Sequence, residues 1–424
     1  MEYLPREIDS ELDRMLAGLP AVAVVGPKAV GKTATATRRA RSSVDLADVD
    51  RSMAYRADPS LVTRLERPVL LDEWQEVPRV WDVVRRAVDA GAAPGAFLLT
   101  GSASPATMPM HTGAGRIVQL RMRPMSFAER GSFRSAVSLE ALLAGESTDI
   151  FGETEATLED YADEIVASGF PGIRHLDGRN RRDALDTYLR LVVERDFPEL
   201  GREVRRPGAL RAWMRAYAAA TSTTASYTAV LDAATAGEPD KPARSTVIAY
   251  RETLERMWLL EEVPAWVGAG SALSGLGRTP KHHLADPALA ARLLGVGAAS
   301  LIETAHPDSV PLPRTGSLFG ALFEDLVTLS VRVVADCLGA QVSHLRTHRG
   351  EHEVDLIVER DDGRVLAMEV KLAASVTDRD VRHLRWLRER LGDDLIDGVV
   401  VTTGRTAYRR PDGIAVVPLA LLGR

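Results

Sequence analysis

Residues 26–33 read Gly-Pro-Lys-Ala-Val-Gly-Lys-Thr, a pattern that can hold a phosphate chain. Glycines at both ends let the backbone turn tightly, so that a loop of Gly26, Pro27, Lys28, Ala29, Val30 and Gly31 can wrap an anion with its N–H groups. Lys32 would reach the β- and γ-phosphates, and the Thr33 hydroxyl would face Mg²⁺. A second stretch, Val69-Leu70-Leu71-Asp72-Glu73, ends an apolar run in two carboxylates. There Asp72 can hold Mg²⁺ through water, while Glu73 orients or deprotonates an attacking water. A third apolar run, Phe97 to Thr100, ends in Gly101-Ser102, and either Thr100 or Ser102 could sense a γ-phosphate or simply close a strand.

A separate constellation lies near the other end of the chain. Glu353 to Val358 alternates like a strand and carries Asp355. Asp361-Asp362-Gly363-Arg364 reads as a hairpin turn, and Val365 to Leu372 returns with Glu369-Val370-Lys371. Residues two apart on a strand share a face, so Glu369 and Lys371 project together. Asp355 and Glu369 could hold Mg²⁺, with Glu324 completing the shell from the apolar-periodic helix Gly320–Leu338. Lys371 could then position water and stabilise a phosphorane-like transition state. The bland alternative is a set of surface charges on a hairpin.

These groups need elements to place them. Ala21–Val25 is a short buried strand, and Gly31–Arg41 has the pattern of a helix directly after the glycine loop. Pro68–Leu71 and Ala96–Thr100 are further apolar runs, separated by a helical pattern over Val80–Ala90. Such alternation predicts a parallel sheet with helices on both faces. From Ser126 to Leu200 the pattern is mostly helical. Short helices follow, ending in Ser245–Trp258, and then the apolar run Leu259–Val267. This order resembles a winged-helix unit, which lays a helix in the DNA major groove or serves as a structural or protein-contact module. The basic run Arg202–Arg206 reads as a solvated face, and Gly268–Gly277 as a loop. The last part runs helix, three strands, helix, strand.

The 424 residues exceed one ordinary core and suggest several domains. A net charge of −6 means that any nucleic-acid site must be a local basic patch. The lone Cys337 excludes a disulfide framework and fits a reducing compartment. The first residues lack a signal-peptide pattern, and no apolar run is long enough to span a bilayer, so a cytoplasmic, non-membrane protein is expected.

The first half resembles AAA+-like ATPases of bacteria and archaea that carry a C-terminal domain of unknown function. The matching stretches are Tyr3-Leu4-Pro5-Arg6, the glycine loop, Leu71-Asp72-Glu73-Trp74-Gln75 and Leu99-Thr100-Gly101-Ser102. Gly115-Arg116, Arg123-Pro124-Met125-Ser126-Phe127, Ser168-Gly169-Phe170-Pro171, and Tyr188-Leu189-Arg190 through Glu194-Arg195-Asp196 match as well. The family usually has Arg-Gln where Lys28-Ala29 stands, and an aliphatic residue at Trp74; neither difference removes a phosphate or metal contact. The resemblance implies that Arg116 is an arginine finger or sensor, and that the chain forms a homo-oligomer if the finger acts across subunits. By itself Arg116 reads as a surface residue in a Gly-rich loop. Glu324, Asp355, Glu369 and Lys371 resemble the PD-(D/E)xK nuclease superfamily, although Val354 stands where a proline is usual.

The expectation is an α/β protein of four parts: a P-loop parallel-sheet ATPase core over 1–130, a helical lid over 131–204, a winged-helix-like module over 205–300, and a restriction-endonuclease-like α/β domain over 301–424. Such a chain would bind ATP and Mg²⁺, hydrolyse ATP, and act on nucleic acid, DNA rather than RNA. The alternative is a nucleotide-dependent switch or scaffold whose C-terminal domain binds a partner without cutting, including a toxin or defence component.

Overall fold

The computed structural model describes residues 3–102, 114–146, 149–200, 206–236, 243–268, 279–305, 315–347 and 350–424. Most of the basic run at 202–206 and of the loop at 268–277 lies outside these. Among the described residues no helix is long and apolar enough to cross a membrane.

The first sheet has five strands: β1 (Ala21–Val25), β2 (Ser42–Asp45), β3 (Val69–Asp72), β4 (Phe97–Gly101) and β5 (Val118–Arg121). They lie in the order β2-β3-β4-β1-β5, all parallel. The central strands are buried from end to end, as a sheet covered on both faces requires. Val22 and Val24 of β1 point into one apolar cluster, and Ala21 and Ala23 into another on the opposite face.

The region expected to be a helical lid is mostly helical but contributes two short strands to the C-terminal part. β6 (Val137–Ser138) pairs with β14 (Leu422–Gly423), and β7 (Gly152–Glu153) pairs with β12 (Thr406–Arg409). The second sheet has seven strands in the order β7-β12-β13-β11-β10-β9-β8, with β8 (Gln341–Arg346), β9 (Glu353–Glu359), β10 (Val365–Lys371), β11 (Leu395–Thr402) and β13 (Ala415–Pro418). β8, β9 and β10 are antiparallel neighbours, and β11 joins β10 in parallel after the helix Arg382–Leu391. The expected order of helix, three strands, helix, strand is present, led by the helix Thr315–Cys337.

Between the sheets, helices Pro207–Ala219, Tyr227–Ala234 and Arg244–Arg256 precede an antiparallel ribbon made by Leu260 with Leu284 and Val263 with Lys281. One continuous apolar cluster runs from Leu12 and Val24 through Trp213 and Leu254 to Phe323, Met368 and Leu422. Each sheet also has a smaller outer core of its own. Polar ties reinforce this continuity. Arg121, at the end of β5, donates to Glu261 at 2.5 Å, Arg332 pairs with the same carboxylate at 3.1 Å, and Arg123 pairs with Asp336 of the C-terminal helix.

Candidate functional sites

The glycine loop closes directly on β1. Gly26 has φ 154°, and a Cβ there would stand 2.1 Å from the Met122 carbonyl oxygen, so only glycine fits. Gly31 (φ 106°) and Ala29 (φ 66°) complete the turn. Lys32 starts the following helix, with its side chain folded back into the loop. Its ammonium donates to the Gly26 carbonyl at 3.0 Å and the Pro27 carbonyl at 2.8 Å. Burial lowers its pKa to about 8, against the opposing pull of Glu73 and Asp72.

Parallel pairing brings the ends of β3 and β4 beside this loop. The Thr33 hydroxyl donates to Asp72 Oδ1 at 3.0 Å, and Thr100 donates to the same oxygen. Burial shifts the Asp72 carboxyl upward, while Thr100 and Thr33 oppose that shift. Glu73 sits in the left-handed region, φ 48° and ψ 48°, so it turns away from Asp72 at the strand end. It accepts from Ser102 Oγ at 3.1 Å and from Gln75 Nε2. Both candidates at the end of β4 are therefore used: Thr100 orients Asp72, and Ser102 orients Glu73. A hydroxyl and a carboxylate side by side at the mouth of a phosphate loop are hard oxygen donors that suit Mg²⁺.

Lys28 leaves the loop to meet Asp196 at 2.6 Å and Glu199 at 3.4 Å. Asp196 is carried on a π-helical turn, Val192–Asp196, and Tyr188 donates to the Lys28 carbonyl at 3.3 Å. This tie between the loop and the helical segment has no counterpart in local sequence spacing.

Arg116 does not join the loop within one chain. β1 and β5 are parallel, with Val22 opposite Val118 and Val25 opposite Arg121. The glycine loop follows Val25 at one edge of the sheet, whereas Arg116 precedes β5 at the other. Five strand residues separate these edges by about 15 Å at the usual rise. Arg116 is instead half-exposed and donates to Asp89 Oδ1 at 2.8 Å. Any contact with a phosphate would have to be made across a subunit boundary.

The second constellation does converge. Leu356 pairs with Met368 across β9 and β10, so the next pair in register is Asp355 with Glu369. The Val370 N–H donates to Asp355 Oδ2 at 2.9 Å, and Lys371 Nζ reaches Glu369 Oε2 at 2.6 Å. Glu324 faces them from its helix. The residue that sequence reasoning missed is Lys281, on the ribbon. Its ammonium lies 2.8 Å from Glu324 Oε1, 2.8 Å from Asp355 Oδ1 and 3.5 Å from Glu353 Oε1. It stands 43 residues from Glu324 and 74 from Asp355, so no local pattern signals the pairing. Burial pushes Glu369 up to about 8, while Lys281 and Lys371 hold Asp355 well below the usual carboxylate range against its own burial.

Between Glu324 and Asp355 this arrangement does not fit the expected Mg²⁺, whereas Glu369 Oε1 is buried and has no hydrogen-bond partner among the described residues. A metal bridging Glu324 and Asp355 would occupy the place of the Lys281 ammonium, and two cations cannot share it. Among the described residues, no group of three or more His, Cys, Asp or Glu is arranged to hold a metal ion.

The segment from Lys281 to Asp286 has several further anchors. The Lys281 backbone N–H and carbonyl both pair with Val263 at 2.9 Å. His282 Nε2 is 2.7 Å from the Ala225 carbonyl, and His283 Nδ1 is 3.0 Å from Asp325. Asp286 accepts from Ser168 Oγ at 2.7 Å and from the Gly169 N–H at 2.6 Å.

Comparison with known proteins divides the chain into three matched stretches. Residues 19–131 match an AAA domain, residues 158–300 a domain of unknown function (DUF8612), and residues 319–422 another domain of unknown function (DUF4143). Uncharacterised proteins of Mycobacterium tuberculosis and Mycobacterium bovis are each 25% identical over 428 residues, covering 97% of this chain and 83% of theirs. Among solved structures, a Walker-type ATPase of Pyrococcus abyssi is similar at 18% identity and TM-score 0.42, over 69% of this chain and 96% of that one. The ORC2 protein of Aeropyrum pernix is similar at 16% identity and TM-score 0.27, over 68% and 89%. The AAA match, the all-parallel sheet and the loop geometry agree that residues 19–131 form an AAA-type P-loop domain.

Proposed function

We propose that this chain binds ATP with Mg²⁺ and hydrolyses it. The observation that carries the reading is the meeting of Lys32, Thr33, Asp72 and Glu73 at the mouth of one loop, each already oriented by a partner. The backbone N–H groups of the loop, Pro27 excepted, would cradle the phosphates, and Lys32 would leave its two carbonyls for the β- and γ-phosphates. Glu73 would orient the attacking water, and Thr33 and Asp72 would hold Mg²⁺, which neutralises phosphate charge. Phosphate release measured with Lys32→Ala tests this: a fall of roughly 10²-fold or more is expected, and an unchanged rate would overturn it.

The output is proposed to lie in the remaining parts, with an ATPase core over 1–130, a lid over 131–204, a winged-helix-like module over 205–300 and a nuclease-like domain over 301–424. Three helices followed by a ribbon support the third of these, and the strands bearing Asp355, Glu369 and Lys371 support the fourth. Nucleic acid, DNA before RNA, is the substrate or partner class that such modules would take. Between cutting and binding, the position of Lys281 favours the second: a nucleotide-dependent switch whose C-terminal domain engages a partner without cleavage. Plasmid nicking with Mg²⁺ or Mn²⁺, with and without ATP, separates the two. Scission lost in Lys371→Ala would establish cutting, and equal absence from both proteins would leave the switch. A homo-oligomer is proposed through Arg116, and mass measurement with and without ATP tests it.

A further inference from the structure

We infer that the Lys281 ammonium is the resident cation of the C-terminal acidic pocket and takes the place of a divalent metal there. An ammonium has three donors, and here they face three carboxylates: Glu324 and Asp355 at 2.8 Å and Glu353 at 3.5 Å. A Mg²⁺ ion shared by Glu324 and Asp355 would need oxygens at about 2.0–2.1 Å, from a point that the ammonium already fills. Lys281 is not a surface side chain that swings aside. It is 1% exposed, and its strand is fixed by two backbone hydrogen bonds to Val263. Lys371 differs in kind. It stands at the mouth, about a third exposed, close to Glu369 alone and 3.8 Å from Asp355. The pocket thus holds two ammonium groups, one structural and one accessible, and the structural one sits between Glu324 and Asp355.

The test is direct Mn²⁺ binding to the full chain without nucleotide, read by the electron paramagnetic resonance of free Mn²⁺. This readout does not depend on whether the P-loop hydrolyses ATP, so either reading can fail without the other. With Lys281 present, Asp355→Asn should leave Mn²⁺ binding unchanged, because Asp355 is not a metal ligand. In Lys281→Met, a site should appear with affinity at least about tenfold above the parent chain, and adding Asp355→Asn should abolish it. If Lys281→Met does not fold, the single Asp355→Asn comparison still decides. Mn²⁺ binding by the parent chain that is lost in Asp355→Asn would overturn the inference, as would a folded Lys281→Met that binds no more Mn²⁺ than the parent chain.

Discussion

The two carboxylate–lysine sites of this chain are built from the same residue types and end in opposite states. At the P-loop, among the described residues, Lys32 is bonded only to neutral carbonyls, Asp72 and Glu73 are held by hydroxyl and amide donors, and no cation contacts either acid. That site is arranged around a charge still to arrive. At the C-terminal pocket the positive charge is built in, since Lys281 and Lys371 already pair with Glu324, Asp355 and Glu369. A cluster of acids with a nearby lysine therefore does not by itself announce a metal site. What separates the two cases is whether the lysine points at the acids or away from them.

The difference can be broken most sharply by removing each lysine and measuring stability. Lys281→Met leaves Glu324 and Asp355 buried without their counter-charge, and urea unfolding should show a loss of about 3–5 kcal/mol. Lys32→Ala removes only bonds to loop carbonyls and should change stability by about 1 kcal/mol or less in the same experiment. Equal losses would erase the contrast.

A kinetic effect of smaller free energy is expected at Glu73. Glu73→Gln keeps the size and the bond from Ser102 but removes the base, so ATP turnover should fall by about 10²-fold while nucleotide binding persists. Retained turnover would remove Glu73 from the proposed mechanism.

Proton linkage gives a subtler mark. Burial holds Lys32 near 8 in the free protein, below the ordinary lysine value of 10.5. The folded chain therefore carries fewer protons than the unfolded chain between pH 8 and 10.5, and this group adds stability as pH rises through that window. Phosphates beside Lys32 would restore its proton, so nucleotide binding near pH 9 should take up a fraction of a proton. Calorimetry in buffers of different ionisation enthalpy would read that uptake, and proton release would contradict the assignment.

The smallest effect is expected at Arg116. Because it lies at the far edge of the sheet, Arg116→Ala should leave nucleotide affinity unchanged in the monomer. Turnover would fall only where subunits associate, and a loss at concentrations too low for association would point to a contact within the chain.

These contrasts also explain what the sequence could disclose. The phosphate loop was legible because its function is carried by eight consecutive residues between a strand and a helix, and Asp72 and Glu73 followed from an apolar run that had to end at the same edge. The convergence of Asp355, Glu369 and Lys371 followed from a two-residue period and a hairpin turn. For Arg116 the motif likeness left open whether the contact is made within one chain or across subunits, since it says nothing about which edge of a parallel sheet a loop meets. Lys281 was missed because its partners are distant in the chain and a lone lysine beside two histidines has no period. The strands β6 and β7 were missed because two residues are too few to show alternation, and their partners lie at the other end of the chain.

The six residues from Lys281 to Asp286 have a mechanical meaning. Fully extended they span no more than about 20 Å. One end is moored to the acidic pocket and the other to Ser168 and Gly169, within the segment that also carries the partners of Lys28. Such a tether has little slack. If Ser168 shifts against β9 by more than a hydrogen bond can stretch, a mooring at Asp286, at His283 or at Lys281 has to give way, and the weakest of the three decides which part of the molecule feels the load.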